Sequence, residues 1–190
     1  MKNLVIFASG NGSNAQNIIE HFNSSNIARV QTIICNKPEA YVLERAKALN
    51  IPHTVLTREE LTADNPHKAL ALLEELRTDY IILAGYLLKI PQALIERYAG
   101  RIINIHPALL PKFGGKGMYG RHVHQAVIDA QEEESGITVH LVDAHYDSGE
   151  TLFQAKCQVL PTDTPEDLEK KVHQLEKDHF ARVIEEFISR

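Results

Sequence analysis

The sequence predicts a single α/β domain over residues 1–190: a Rossmann-like, mostly parallel sheet with helices on both faces and an antiparallel carboxyl-terminal hairpin. Three observations predict it. Short strand-like runs recur at Leu4–Ala8, Val30–Cys35, His53–Leu56, Tyr80–Ala84 and from Ile102, with helical spacing between them. Leu4–Ala8 is continuously apolar, as a central parallel strand buried on both faces requires. Finally, Gly136–Val142 and Thr151–Val159 are separated only by a turn, which antiparallel strands can use and parallel ones cannot.

The first strand leads into Ser9-Gly10-Asn11-Gly12-Ser13-Asn14, with a helix starting near Ala15. Gly10-x-Gly12-x-x-Ala15 resembles a dinucleotide fingerprint, but the second strand ends in Asn36-Lys37 and offers no acid for a ribose. No Gly-Lys-Ser/Thr closes the loop as a nucleotide P-loop would. Small residues before free helical N–H groups suit a single phosphate. A tight turn with a helix cap is the structural alternative. A helix from about Ala40 through Glu44–Leu49 leads to the third strand, and Thr57–Asn65 reads as a polar loop before Pro66. His67–Leu76 has helical spacing through Leu70, Leu73 and Leu76, and Pro91–Tyr98 is a short helix with proline at its start.

The fifth strand carries the clearest chemical signal. Ile102, Ile103 and Ile105 are apolar, while Asn104 and His106 share one side of the pleat and Pro107 ends the strand. In an open α/β sheet the carboxyl end of a strand is where ligands bind. An amide and an imidazole there can stabilise a developing oxyanion. Alternatively, His106 bonds a loop carbonyl and Asn104 caps a turn. Lys112–Arg121 holds Gly114, Gly115, Gly117 and Gly120, so it is mobile or bends closely around something. His122 and His124 open the next helix; at i and i+2 they do not share a face, which speaks against a metal site.

In the hairpin, Ile137, Val139 and Leu141 alternate with Thr138 and His140, and Asp147-Ser148-Gly149 lies in the turn. Thr164 is a natural N-cap for a closing helix, followed by Pro165, Glu166 and Asp167. Its apolar stripe runs Leu168, Val172, Leu175, Phe180, Val183, Ile184, Phe187, and Glu176 lies within it. A carboxylate there needs a partner, either a backbone group or a polar ligand.

Composition narrows the classes. A net charge of −5 disfavours a nucleic-acid partner. Cys35 and Cys157 stand outside metal or redox spacings, which fits a cytoplasmic protein. Leu4–Ala8 is too short for a signal-peptide core, and no run approaches a membrane span.

Together, Ser9–Asn14, Leu83–Gly85, Asn104-Ile-His106-Pro-Ala-Leu-Leu-Pro111-Lys112, Thr138-Val-His140 and Asp147-Ser-Gly149 resemble, in this order, the 10-formyltetrahydrofolate-dependent formyltransferase family. Gly12-Ser13-Asn14 is similar to the phosphoribosylglycinamide formyltransferase branch, and the likeness covers nearly the whole chain. It implies formyl transfer from 10-formyltetrahydrofolate, as co-substrate, to glycinamide ribonucleotide in purine biosynthesis, without a metal. It makes Asn104, His106 and Asp147 the catalytic set, with Gly12, Ser13 and Asn14 on the phosphate and Glu176 on the ribose. Leu87, Leu88, Lys89 and Ile90 would lie along the folate pterin, Leu88 replacing the usual basic residue, with Asn104 beside it. The resemblance assigns no contact to Thr57–Lys68 and no role to His122 and His124. It implies a protonated His106 that holds the oxyanion with Asn104, and an Asp147 that keeps His106 charged. The methionyl-tRNA formyltransferases add a carboxyl-terminal RNA domain, whereas this chain stops at Arg190. Formyltetrahydrofolate hydrolases place a regulatory domain ahead of the first strand, which here starts near Asn3. A non-catalytic phosphate-binding module would use Ser9–Asn14 but not Asn104, His106 and Asp147 together.

Overall fold

A computed structural model describes residues 1–62 and 66–190. The strands are β1 (Lys2–Ala8), β2 (Ala28–Cys35), β3 (His53–Val55), β4 (Tyr80–Leu83), β5 (Ile102–His106), β6 (Glu134–Leu141) and β7 (Thr151–Gln158). The helices are α1 (Ser13–Phe22), α2 (Val42–Ala48), α3 (Arg58–Thr62), α4 (His67–Glu75), α5 (Gln92–Arg97), α6 (Arg121–Asp129) and α7 (Pro165–Ile188). One seven-stranded sheet has the order β3-β2-β1-β4-β5-β6-β7. Pairing is parallel from β3 through β5 and antiparallel from β5 to β7.

Side-chain parity divides the core. Leu4, Ile6, Ile33, Ile103, Ile105, Ile137 and Val139 face α1, α2, α6 and α7. Val5, Phe7, Ile34, Ile81, Leu83 and Ile102 face α3, α4 and α5. Asn104 and His106 have the parity of Ile102 but stand at the strand's carboxyl end. Helix α7 closes the first face with Leu168, Val172, Phe180 and Ile184 fully buried. Its start is a capping box: Thr164 Oγ1 accepts from Asp167 N–H, and Asp167 Oδ2 accepts from Thr164 N–H, both at 3.2 Å.

One expectation is corrected. Thr57–Asn65 is not all loop, because Arg58–Thr62 forms α3. Thr57-x-x-Glu60 is itself a capping box: Thr57 N–H donates to Glu60 Oε2 at 2.7 Å, and Glu60 N–H to Thr57 Oγ1 at 3.3 Å. Leu61 is fully buried and secures the turn. Ala63, Asp64 and Asn65 lie outside the described residues.

Gly136 tests how closely the hairpin is packed. A Cβ there would lie 1.9 Å from the Ala155 carbonyl oxygen and 3.0 Å from Leu109 Cδ2. Backbone cannot yield as a flexible side chain does, so Gly136→Ala should destabilise by about 1–3 kcal/mol or more. Urea unfolding measures this; an unchanged midpoint would mean that the two strands separate without cost.

Candidate active site

All the site residues expected from the sequence line one cleft of about 1130 Å³: Gly12, Ser13, Asn14, Leu87–Ile90, Asn104, His106, Asp147 and Glu176. It opens at the carboxyl ends of the parallel strands. The register explains its floor, since Asn104 pairs with His140 and His106 with Thr138 on one face of the sheet. His140 is buried, and its Nδ1–H donates to the Leu141 carbonyl at 2.8 Å. Its other nitrogen is then free to accept, and Asn104 Nδ2 lies 3.0 Å from it. One amide N–H of Asn104 is thereby fixed and the second is left for the cleft.

Asp147 joins this pair from the β6–β7 connection. Its backbone is left-handed, with φ 53°, a region that aspartate tolerates better than most residues. Oδ2 lies 3.7 Å from His106 Nδ1, and Oδ1 lies 3.7 Å from His140 Nε2. Oδ2 also accepts the Gly115 N–H at 2.8 Å. His106 is 3% exposed, and its Nε2 is 2.8 Å from the Phe113 carbonyl. So His106 does bond a loop carbonyl, while its other nitrogen faces a carboxylate.

Burial works against the expected charge on His106. Burial pulls its pKa below the ordinary histidine value; Asp147 and the Phe113 carbonyl push it up only in part. In the neutral ring the Phe113 carbonyl keeps the proton on Nε2, which leaves Nδ1 bare toward Asp147. Burial likewise pulls the His140 pKa down, against the Leu141 carbonyl and the nearby carboxylates.

At the other end of the cleft, α1 begins without help. Its N-cap is Gly12 at φ 80°, no side chain caps it and its first turn has no acid, so its leading N–H groups are open to an anion. Helix α2 holds the preceding loop: Arg45 Nε donates to the Asn11 carbonyl at 2.9 Å, and Val42 N–H to the Gly10 carbonyl at 3.1 Å. A Cβ on Gly12 would lie 2.4 Å from Val42 Cγ2 and 2.9 Å from Val42 Cα, so this glycine also permits that packing. Glu176 is 7% exposed and its Oε2 accepts from Asn14 Nδ2 at 2.9 Å. Burial raises its pKa, against the opposing effect of that hydrogen bond. Its partner is thus a side chain in the first turn of α1 rather than a backbone group.

The third wall is the strip after β4. Ser9 Oγ accepts from Leu87 N–H at 3.0 Å, and Ser9 N–H donates to the Gly85 carbonyl at 3.1 Å. Leu87 is exposed, Ile90 is buried, and Lys89 Nζ sits 5.6 Å from the Tyr146 ring centroid across the cleft. His140 entered the sequence motif without a role, and Arg58 was given none. His140 was visible as a polar residue opposite Asn104 once the strand pairing is known; Arg58 lines the cleft through the missed α3. His122 is exposed and His124 buried, as their spacing requires. Among the described residues no three His, Cys, Asp or Glu side chains converge as a metal site, and no helix is long and apolar enough to cross a membrane.

Sequence and structure comparisons agree on the kinship. The formyl transferase family model matches residues 2–184. A phosphoribosylglycinamide formyltransferase of Bacillus subtilis is 36% identical over 192 residues, covering 99% of this chain and 95% of that protein. The Haemophilus influenzae protein of the same name is 37% identical, with 98% and 87% covered. The chloroplastic one of Arabidopsis thaliana is 38% identical over 96% of this chain, which spans 64% of that protein's length. The crystal structure of glycinamide ribonucleotide transformylase 1 from Geobacillus kaustophilus superposes with a TM-score of 0.90 at 34% identity, covering 99% of both chains. With the cleft, the sheet order and these matches in agreement, the chain belongs to the formyl transferase family.

Proposed function

We propose that this protein transfers the formyl group of 10-formyltetrahydrofolate to the amine of glycinamide ribonucleotide, as the names of its relatives suggest. The observation that carries the reading is the position of Asn104, His106 and Asp147 in one cleft with an uncapped helix start and an apolar strip. In this reading Ser13, Asn14 and the Gly12 turn hold the phosphate, Glu176 takes the ribose hydroxyls, and Leu87–Ile90 carry the pterin. The reaction joins the amine nitrogen to the formyl carbon and then breaks that carbon's bond to the folate nitrogen.

The protein's share of the chemistry follows from the ring nitrogens. The free N–H of Asn104 stabilises the oxyanion as it forms. Bare Nδ1 of His106 accepts the proton that the attacking amine must lose, and Asp147 stabilises the resulting imidazolium. The same proton then goes to the departing folate nitrogen, so the histidine returns to its starting form. A spectrophotometric assay with both substrates tests the activity: release of tetrahydrofolate that depends on the ribonucleotide is expected, and none would sink the reading.

Two site predictions follow from the electrostatics. His106 acts in its neutral form, so kcat/KM should rise with pH through a value below 6.5 and level off near neutrality. Asp147→Asn removes the anion that raises this pKa, so the rising limb should move to lower pH. The plateau should drop about 100-fold or more, the scale of lost acid–base or oxyanion groups. His106→Ala should cost a similar factor, and the double variant little more than either alone. Full additivity of the two losses would mean that they do not work as a unit.

Glu176→Gln separates binding from stability. Losing the charge should weaken ribonucleotide binding by about 1–3 kcal/mol, measured by isothermal titration. The folded-state pKa of Glu176 is raised, so its ionised form costs stability once pH passes the unfolded value, and neutral glutamine removes that cost. Tm should therefore hold or rise at pH 7. A large fall in Tm with binding intact would make Glu176 a structural residue.

A further inference from the structure

The turn from Gly10 to Gly12 is held by something outside itself. Two of its three residues are glycines, Gly12 is left-handed at φ 80°, and Gly10 and Asn11 are exposed. Such a segment has many conformations within reach and loses much entropy when one is fixed. No side chain caps α1 to fix it. The conformation is imposed from α2, which packs beside α1 and contributes no residue to the cleft.

Arg45 supplies the main grip. Its guanidinium donates twice to one residue: Nε to the Asn11 carbonyl at 2.9 Å, and Nη2 to Asn11 Oδ1 at 2.8 Å. Its third nitrogen, Nη1, donates to Gln16 Oε1 in α1. The Gln16 amide is itself oriented, because its Nε2 donates to Glu20 Oε1 at 2.7 Å. One planar group thus joins the turn to the helix that follows it, and fixes Asn11 by backbone and side chain together. All three acceptors are neutral, so these bonds supply geometry and not an ion pair. No other side chain among the described residues bonds Asn11. Spacings of four and three put Tyr41 and Val42 on the same side of α2 as Arg45. The Tyr41 ring centroid lies 5.0 Å from Arg45 Cζ. Val42 completes the clamp, with its N–H on the Gly10 carbonyl and its side chain against Gly12.

We propose that Arg45 is a positioning residue for the phosphate end of the cleft: its fork on Asn11 orders the Gly10–Gly12 turn, so that the leading N–H groups of α1 converge before the phosphate arrives. The proposal rests on the reading of that turn as the phosphate site. Arg45 stands outside the cleft lining and acts through Asn11, which belongs to it. By holding the turn in its binding form, it removes an ordering cost that the ribonucleotide would otherwise bear.

Kinetics, calorimetry and NMR on the full chain separate this role from a merely structural one. Arg45→Met should raise KM for glycinamide ribonucleotide about 10-fold or more, the scale of one lost hydrogen bond to a charged group. At saturation kcat, and KM for the folate, should stay within about twofold, because the order of the turn acts on binding and not on the reacting groups. Ribose 5-phosphate, titrated calorimetrically, should weaken by the same factor as the ribonucleotide. Arg45→Lys keeps the charge and the stem beside Tyr41 but cannot make two parallel bonds to Asn11. It should be impaired nearly as much, and it stands in if Arg45→Met does not fold. Without ligand, the ¹H–¹⁵N NOEs of the Gly10, Asn11 and Gly12 amides should fall in both variants, while those of β1 keep their wild-type values. Wild-type KM in Arg45→Lys would assign the effect to charge and overturn the proposal. So would unchanged NOEs in the turn, or a joint loss in kcat and in both KM values. A wild type that binds no ribose 5-phosphate, although its turn is ordered and loosens in the variants, would instead overturn the phosphate reading and leave Arg45 as the residue that orders the turn.

Discussion

An imidazole taken out of water at the end of a strand is the constraint on which the site depends. His106 is 3% exposed, and burial of its charged form is unfavourable. Each ring nitrogen must be provided for by something that can reach the end of β5. The Phe113 carbonyl takes one, and the other faces Asp147 across 3.7 Å. Those two contacts dictate the turn after Pro107, the left-handed residue at Phe113 and the left-handed residue at Asp147. The antiparallel pairing of β6 with β5 brings Thr138 under the turn and His140 beside Asn104.

The sheet order supplies the second condition, which is space. Strand β1 lies between β2 and β4, so the loops leaving β1 and β4 part at the point where the order reverses. Ser9 ties the two loops together through Leu87 and Gly85. One loop leads to the uncapped start of α1, and the other to the strip from Leu87 to Ile90. Glu176 reaches the first of these from α7 and binds Asn14. An uncapped helix start and an apolar strip thus share one wall, with Asn104 and His106 at the junction.

Much of this was legible in the sequence, for reasons that differ by element. The central strands β1, β4 and β5 were readable because each is short, rich in apolar residues and largely buried, and α7 because its cap and stripe agree over 24 residues. Asn104 and His106 stood out as polar residues on a strand otherwise made of isoleucine. Helix α3 was hidden because five residues cannot display a helical period; only its capping pair, Thr57 and Glu60, carried the signal. The charge state of His106 was not legible, since it depends on how much water the folded chain removes. Nor was the contact of Thr138 with Gln154, because a hydrogen bond between residues 16 positions apart follows from register and not from composition.

Charge shows the same separation between what a sum conveys and what placement does. The chain carries a net charge of −5, yet the cleft's lysines and arginine, Lys37, Arg58, Lys89 and Lys116, all stand exposed on its walls. Its acids, Asp143, Asp147, Glu169 and Glu176, are all at least partly buried. Exposed cations act on an approaching anion through solvent, where the attraction is weak, long in reach and screened by salt. Carboxylates set inside act over a few ångströms in a poorer solvent, where each interaction is stronger and depends on geometry. The mouth is therefore suited to gathering anionic molecules. The interior acids serve other ends: Asp147 faces an imidazole, and Glu176 holds the side chain of Asn14. Had the signs been exchanged, a cation beside His106 would disfavour the imidazolium that the proposed reaction requires, and acids at the mouth would repel the phosphate of the proposed substrate.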